Sequence, residues 1–93
     1  MKIIKRNDSG WVTAIIENHW VQAKVYDEPS EYGVGGFGRV SKLSIGKTDT
    51  VIEGQNFFNQ VCYHYDRGLD FDEAPAGLVE KVVAQLETLP SIF

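Results

Sequence analysis

Trp20-Val21-Gln22-Ala23-Lys24-Val25-Tyr26 is the stretch on which the fold turns. Its apolar and polar residues alternate with the period of two that marks a half-buried β-strand. Val21, Ala23 and Val25 fall on one face. Trp20, Gln22, Lys24 and Tyr26 fall on the other, and the valine face is expected to be buried. A slip of one residue would reverse the two faces, so burial of one of them fixes the pairing. On the N-terminal side, Trp11-Val12-Thr13-Ala14-Ile15-Ile16 is rich in branched and aromatic residues and reads as a partner strand. Glu17-Asn18-His19 connects the two. Before it, Ile3-Ile4-Lys5-Arg6 forms a short strand and Asn7-Asp8-Ser9-Gly10 a turn.

On the C-terminal side a loop runs from Asp27 to Gly38, followed by a strand over residues 39–45. Gly46-Lys47-Thr48-Asp49-Thr50 reads as a turn. Val51-Ile52-Glu53 pairs briefly, Gly54-Gln55-Asn56 breaks it, and Phe57-Phe58-Asn59-Gln60-Val61-Cys62-Tyr63-His64-Tyr65 reads as one long strand. Asp66-Arg67-Gly68-Leu69-Asp70 then turns out of it. The helix expected over residues 75–89 has Pro75 in its first turn, where the missing donor is not needed. Asp72 and Glu73 lie near the positive end of its dipole. Leu78, Val79, Val82, Val83, Leu86 and Leu89 recur at helical spacing as one apolar stripe, and Pro90 stops the element. These segments predict an α+β fold of two layers: a four- to five-stranded antiparallel sheet with one C-terminal helix packed on one face.

The 93 residues suit a single domain, 1–93, and 43% hydrophobic content is enough for one packed core. The formal net charge of −4 argues against a general nucleic-acid binder, which would carry a basic face. The charge is uneven. Lys2, Lys5 and Arg6 make the start basic, whereas Asp66, Asp70, Asp72 and Glu73 outweigh Arg67. An acidic patch of that kind would suit a partner with a basic surface. One cysteine, Cys62, excludes an internal disulfide framework. No apolar run approaches the ~18 residues of a membrane span, and the start lacks a signal-peptide core, so a cytoplasmic protein is expected.

Gly33-Val34-Gly35-Gly36-Phe37-Gly38-Arg39-Val40 matches G-x-G-x-x-G and even the longer kinase form G-x-G-x-x-G-x-V. A dinucleotide fingerprint needs a strand before the glycines and a helix after them. Here the charged loop Asp27-Glu28-Pro29-Ser30-Glu31 precedes them and a strand follows, and no kinase partner motif occurs elsewhere. The glycines are therefore read as shaping a tight loop.

Cys62, His64 and Asp66 alternate on one strand. Neighbours two apart lie ~6.6–7 Å from each other and the outer pair ~13 Å, so at most two could share one ion. His19 is the only other histidine, and no metal or other cofactor is expected. A Cys62–His64 nucleophile and base lacks a third orienting residue and an oxyanion site. Trp20, Tyr26, Tyr32, Phe37, Tyr63 and Tyr65 are divided between core and a protein interface, where such residues serve as anchors.

Three strings carry a resemblance: Ala23-Lys24-Val25-Tyr26 with Ser30-Glu31-Tyr32-Gly33, Gly38-Arg39-Val40-Ser41-Lys42-Leu43, and Tyr65-Asp66-Arg67-Gly68. Together they resemble the pattern AKVY…SEYG…GR[VI]SKL…YDRG of a family of small uncharacterised proteins of bacteria and their phages. The resemblance covers about half of the chain and implies no activity, cofactor or catalytic residue. It implies a phage or mobile-element setting, and a role beyond packing for residues 30–32 and 66–68.

The leading expectation is a non-enzymatic protein-interaction module, in its specific form a phage or mobile-element inhibitor of a host protein. Its candidate partner-binding residues are Glu28, Glu31, Tyr32 and Phe37 of the long loop with Asp66, Arg67 and Asp70 of the turn, since binding residues concentrate outside regular elements. One alternative is nucleotide or nucleic-acid binding through the Gly33–Gly38 loop with Arg39 and Lys42. The other is a small enzyme built on Cys62 and His64.

Overall fold

The computed structural model describes residues 1–90. Its strands are β1 (Lys2–Arg6), β2 (Trp11–Ile16), β3 (His19–Ser30), β4 (Gly38–Gly46), β5 (Val61–Asp66) and β6 (Leu69–Asp72). They form one antiparallel sheet in the order β1-β2-β3-β4-β5-β6. Each strand lies beside its neighbour in sequence, so every connection is a local one. A single helical turn, α1 (Phe57–Gln60), leads into β5, and α2 (Leu78–Glu87) follows β6. Among the described residues no helix is long and apolar enough to cross a membrane.

The α+β class, the antiparallel sheet and the C-terminal helix are as expected, but the sheet has six strands, not four to five. The sixth arises at Arg67, whose positive φ of 55° reverses the chain sharply. Its N–H is held at 2.8 Å by the Ser41 carbonyl. Residues 69–72 then return along β5, pairing Phe71 with His64 and Asp72 with Tyr63. Leu69 and Asp70 are therefore strand residues and not part of the turn.

Four other boundaries differ from the sequence reading. β3 runs on to Ser30, through residues expected to be loop from Asp27, because Ser30 pairs with Gly38. Phe57–Gln60 is helical because the Asn56 side chain caps it, accepting from the Phe58 N–H at 3.1 Å, so the strand begins at Val61. Val51-Ile52-Glu53 finds no strand partner. The Gln60 side-chain amide takes that place, accepting from Ile52 N at 2.7 Å and donating to Ile52 O at 3.0 Å. The helix starts at Leu78, after Gly77 at φ 82°, because Pro75 lies in the preceding turn, its carbonyl accepting from Leu78 N at 3.1 Å.

One face of the sheet carries the core. Val12, Ala14 and Ile16 of β2, Val21, Ala23 and Val25 of β3, and Val40, Leu43 and Ile45 of β4 are all buried. Cys62 and Tyr63 of β5 with Leu78, Val82, Leu86 and Leu89 complete the cluster, with Val79 and Val83 packed at its side. The apolar stripe thus covers the valine face, as its spacing requires. Burial of this layer stabilises the fold by about 25 cal/mol per Å² of apolar surface removed from water.

β4 departs from simple alternation. Val40 lies opposite Val25 and Lys42 opposite Lys24, which leaves Ser41 as an extra, unopposed residue. Such a bulge shifts the phase of a strand. It lets Val40 and Leu43, three positions apart, both enter the core. A larger irregularity follows: Val25 pairs with Val40 and Ser30 with Gly38, so Tyr26, Asp27, Glu28 and Pro29 arch away opposite Arg39 alone.

Candidate functional site

The arch of β3 and the bulge of β4 leave a cleft between them. It measures about 540 Å³ and is lined by Tyr26, Asp27, Glu28, Pro29, Ser30, Tyr32, Ser41 and Arg67. Tyr26 and Tyr32 are half exposed, at 44% and 49%. Ser41 is buried, and its Oγ has no hydrogen-bond partner among the described residues. A hydroxyl left unpartnered at a buried position is uncommon, because it forfeits its bonds to water.

Each wall of the cleft is fixed from behind. Tyr65 of β5 donates its hydroxyl to the Tyr32 carbonyl at 2.9 Å and approaches the Gly33 carbonyl at 3.3 Å, which ties the loop to the sheet. The Arg39 Nε donates to the Tyr26 carbonyl at 2.8 Å and holds the base of the arch. The Arg67 N–H bond to Ser41 O closes the third side.

The glycine-rich loop is compact. Gly33 N donates to Ser30 O at 3.0 Å and Val34 N to Val40 O at 2.8 Å. A Cβ on Gly33 would collide with the backbone of Gly38, so only glycine allows this approach. Gly35 and Gly36 have positive φ, 89° and 102°, and supply the turn. These glycines close a loop, and no helix opens at their end.

Arg39 serves the helix. Its Nη1 donates to the Glu87 and Leu89 carbonyls, both at 2.9 Å, and its own N–H donates to Glu87 Oε2 at 2.8 Å. A guanidinium at a helix C-terminus satisfies free carbonyls and complements the dipole. Lys42 lies 3.7 Å from Asp66 and over the Trp11 ring at 5.9 Å. Lys24 sits over Trp11 and Tyr26, 5.5 Å from each centroid.

The candidate binding residues therefore separate. Glu28, Tyr32 and Arg67 meet at the cleft. Asp66 is beside them, 3.8 Å from the Arg67 Nε, and Glu31 is exposed on the adjoining loop. Phe37 projects from the far end of the glycine loop, 73% exposed, and does not line the cleft. Asp70 is elsewhere, bonded at 2.6 Å to Nδ1 of His64. His64 stacks on Phe71 at 6.3 Å and meets the edges of Phe57 and Phe58 at 6.4 and 5.2 Å. Tyr26, Asp27, Pro29, Ser30 and Ser41 also line the cleft and were not among the expected binding residues. The polar-face alternation of residues 20–26 pointed toward Tyr26, but nothing in the sequence marks Ser41 as a bulge.

Cys62 is buried, and its thiol donates to the Gly46 carbonyl at 3.7 Å. Burial pushes the thiol's pKa up, opposed in part by its backbone hydrogen bond. The neutral form is favoured, which is unlike an activated nucleophile. Burial likewise pushes Tyr63 up to about 12, with Asp72, Tyr65 and Glu80 adding to the rise. Among the described residues no group of three or more His, Cys, Asp or Glu side chains is placed to hold a metal ion.

An open antiparallel meander with one covering helix and a cleft at a bulged strand pair defines the class: a small two-layer α+β protein. The chain belongs to the family described as Domain of unknown function (DUF7678), whose model matches residues 10–88. That span takes in β2 through α2, and so every residue of the cleft. No curated protein and no solved structure matches the chain.

Proposed function

We propose that this chain is a non-enzymatic protein-interaction module that binds a partner with a basic surface through the cleft between the β3 arch and Arg67. The observation that carries the reading is the meeting there of two half-exposed tyrosines with carboxylates at the rim. Tyrosine offers a large contact area at little cost in side-chain entropy, and complementary charge steers association. Asp27 and Glu28 line the cleft with Arg67, Glu31 is exposed on the adjoining loop, and Lys24 lies over Tyr26. The finer form of the proposal is a cytoplasmic inhibitor that a phage or mobile element directs at a host protein. The alternative of nucleotide binding is less well supported, because Arg39 already serves the helix end and Lys42 lies against Asp66 and Trp11.

The test is affinity capture from host lysate, followed by titration of the retained protein. Tyr32→Ala should abolish retention with an unchanged melting temperature. Binding should weaken as salt rises, because exposed charges are screened over about 10 Å at 0.1 M. A partner that binds Tyr32→Ala and wild type equally would place the interface elsewhere.

A further inference from the structure

The cleft has chemical features that narrow what enters it. Tyr26 and Tyr32, both half exposed, line it, with Pro29 between them in sequence. Its lining carries the carboxylates of Asp27 and Glu28, Glu28 exposed, with Glu31 exposed on the adjoining loop. Ser41 lines the cleft at the β4 bulge, and its Oγ is closed off from solvent with no hydrogen-bond partner among the described residues. The occupant that completes this set has a flat face for the tyrosines, a positive charge for the carboxylates and N–H groups for Glu28.

We infer that the cleft is a receptor for an arginine side chain, presented by the partner and inserted between Tyr26 and Tyr32. The inference rests on the interaction reading above and names the group that is recognised. A guanidinium is planar, weakly hydrated and stacks on aromatic faces, and it carries five N–H donors. It can stack against a tyrosine ring and form a charge-assisted bond to Glu28. A lysine ammonium is more strongly hydrated and has no flat face, so it fits the same walls less well. Arg67 opposes a cation, but Asp66 lies 3.8 Å from its Nε and offsets that charge. Lys24 lies over Tyr26, 5.5 Å from its centroid, so Tyr32 is the ring left for the guanidinium to stack on.

The test uses the full chain and two short acetylated, amidated peptides, Gly-Arg-Gly and the same peptide with citrulline. Citrulline keeps the shape of arginine and removes its charge. Amide chemical shifts report binding. The arginine peptide should move the signals of residues 26–32, 41 and 67 saturably, and the citrulline peptide should bind about tenfold or more weakly. Glu28→Gln should weaken the arginine peptide several-fold, with a backbone spectrum otherwise like that of wild type. Phe58→Ala, in the ring cluster with His64, should leave peptide binding unchanged. Equal binding of the two peptides, saturation of the cleft by a phosphorylated peptide instead, or no saturable shift would each overturn the arginine assignment. If no arginine peptide binds while Tyr32→Ala still releases the captured partner, the interaction reading stands and the arginine inference falls. If Tyr32→Ala releases nothing while the peptide still saturates the cleft, the reverse holds.

Discussion

The two faces of the sheet are built from different materials. Beneath α2 the strands present Val12, Ala14, Ile16, Val21, Ala23 and Ile45, all fully buried. On the opposite face Trp11, Trp20, Lys24, Lys42 and His64 are only partly buried. They are held by cation–ring approaches, by an edge-to-face pair of Trp20 and Phe57 at 6.0 Å, and by the His64–Asp70 bond. The first face gains its energy from area removed from water, the second from many weak and partly solvated contacts. The covered face should therefore decide whether the protein folds, and the open face and its adjoining cleft should be free to serve binding.

The sharpest way to break this contrast is Leu86→Ala. Leu86 is fully buried, and its truncation should cost ~2–4 kcal/mol in denaturant unfolding, against less than ~1 kcal/mol for Phe58→Ala at 56% exposure. Similar losses for the two would show that the open face carries as much of the fold as the core.

Tyr63 tests the covered face by pH. Its pKa is pushed from 10.0 to about 12, so between those values the folded state holds a proton that the unfolded state releases. Stability from this group is complete below pH 10 and declines as pH rises toward 12. Alkaline unfolding followed by circular dichroism should show that decline, and Tyr63→Phe should flatten it. An unchanged slope in the variant would assign the effect to other groups.

Tyr65→Phe probes the junction of core and cleft. It removes the hydroxyl bond to the Tyr32 and Gly33 carbonyls, and should cost about 1 kcal/mol. Faster amide hydrogen exchange in residues 33–36 should accompany the loss. Unaltered exchange there would mean that the glycine turns alone hold the loop.

The smallest effect is expected at the Lys42–Asp66 pair. At 3.7 Å between side chains 36% and 47% exposed, Asp66→Asn should change stability by at most ~0.5 kcal/mol. A loss above ~1.5 kcal/mol would mean that the open face is more tightly organised than its exposure suggests.

Much of the architecture was legible along the chain because the signals are local. The alternation over residues 20–26 fixed which face of β3 is buried, and the stripe from Leu78 to Leu89 identified the helix and its covered side. The tight loop at residues 33–38 followed from the conformational range of glycine. Glu28, Tyr32 and Arg67 were legible as candidates because they lie in polar, glycine-bearing segments. Other features depend on residues far apart in sequence. The sixth strand needed the Arg67 N–H to meet the Ser41 carbonyl across the sheet. The helix end needed Arg39, 48 positions before Glu87. The arch at residues 26–29 exists because Arg39 alone spans the gap between two pairings of β3 with β4. Ser41 became part of a cleft because the core needed both Val40 and Leu43, and a two-residue period cannot place both on one face without a bulge. The sequence by itself determined which residues seek burial. Tertiary structure alone decided where the pairing had to break to satisfy them, and the cleft lies at that break.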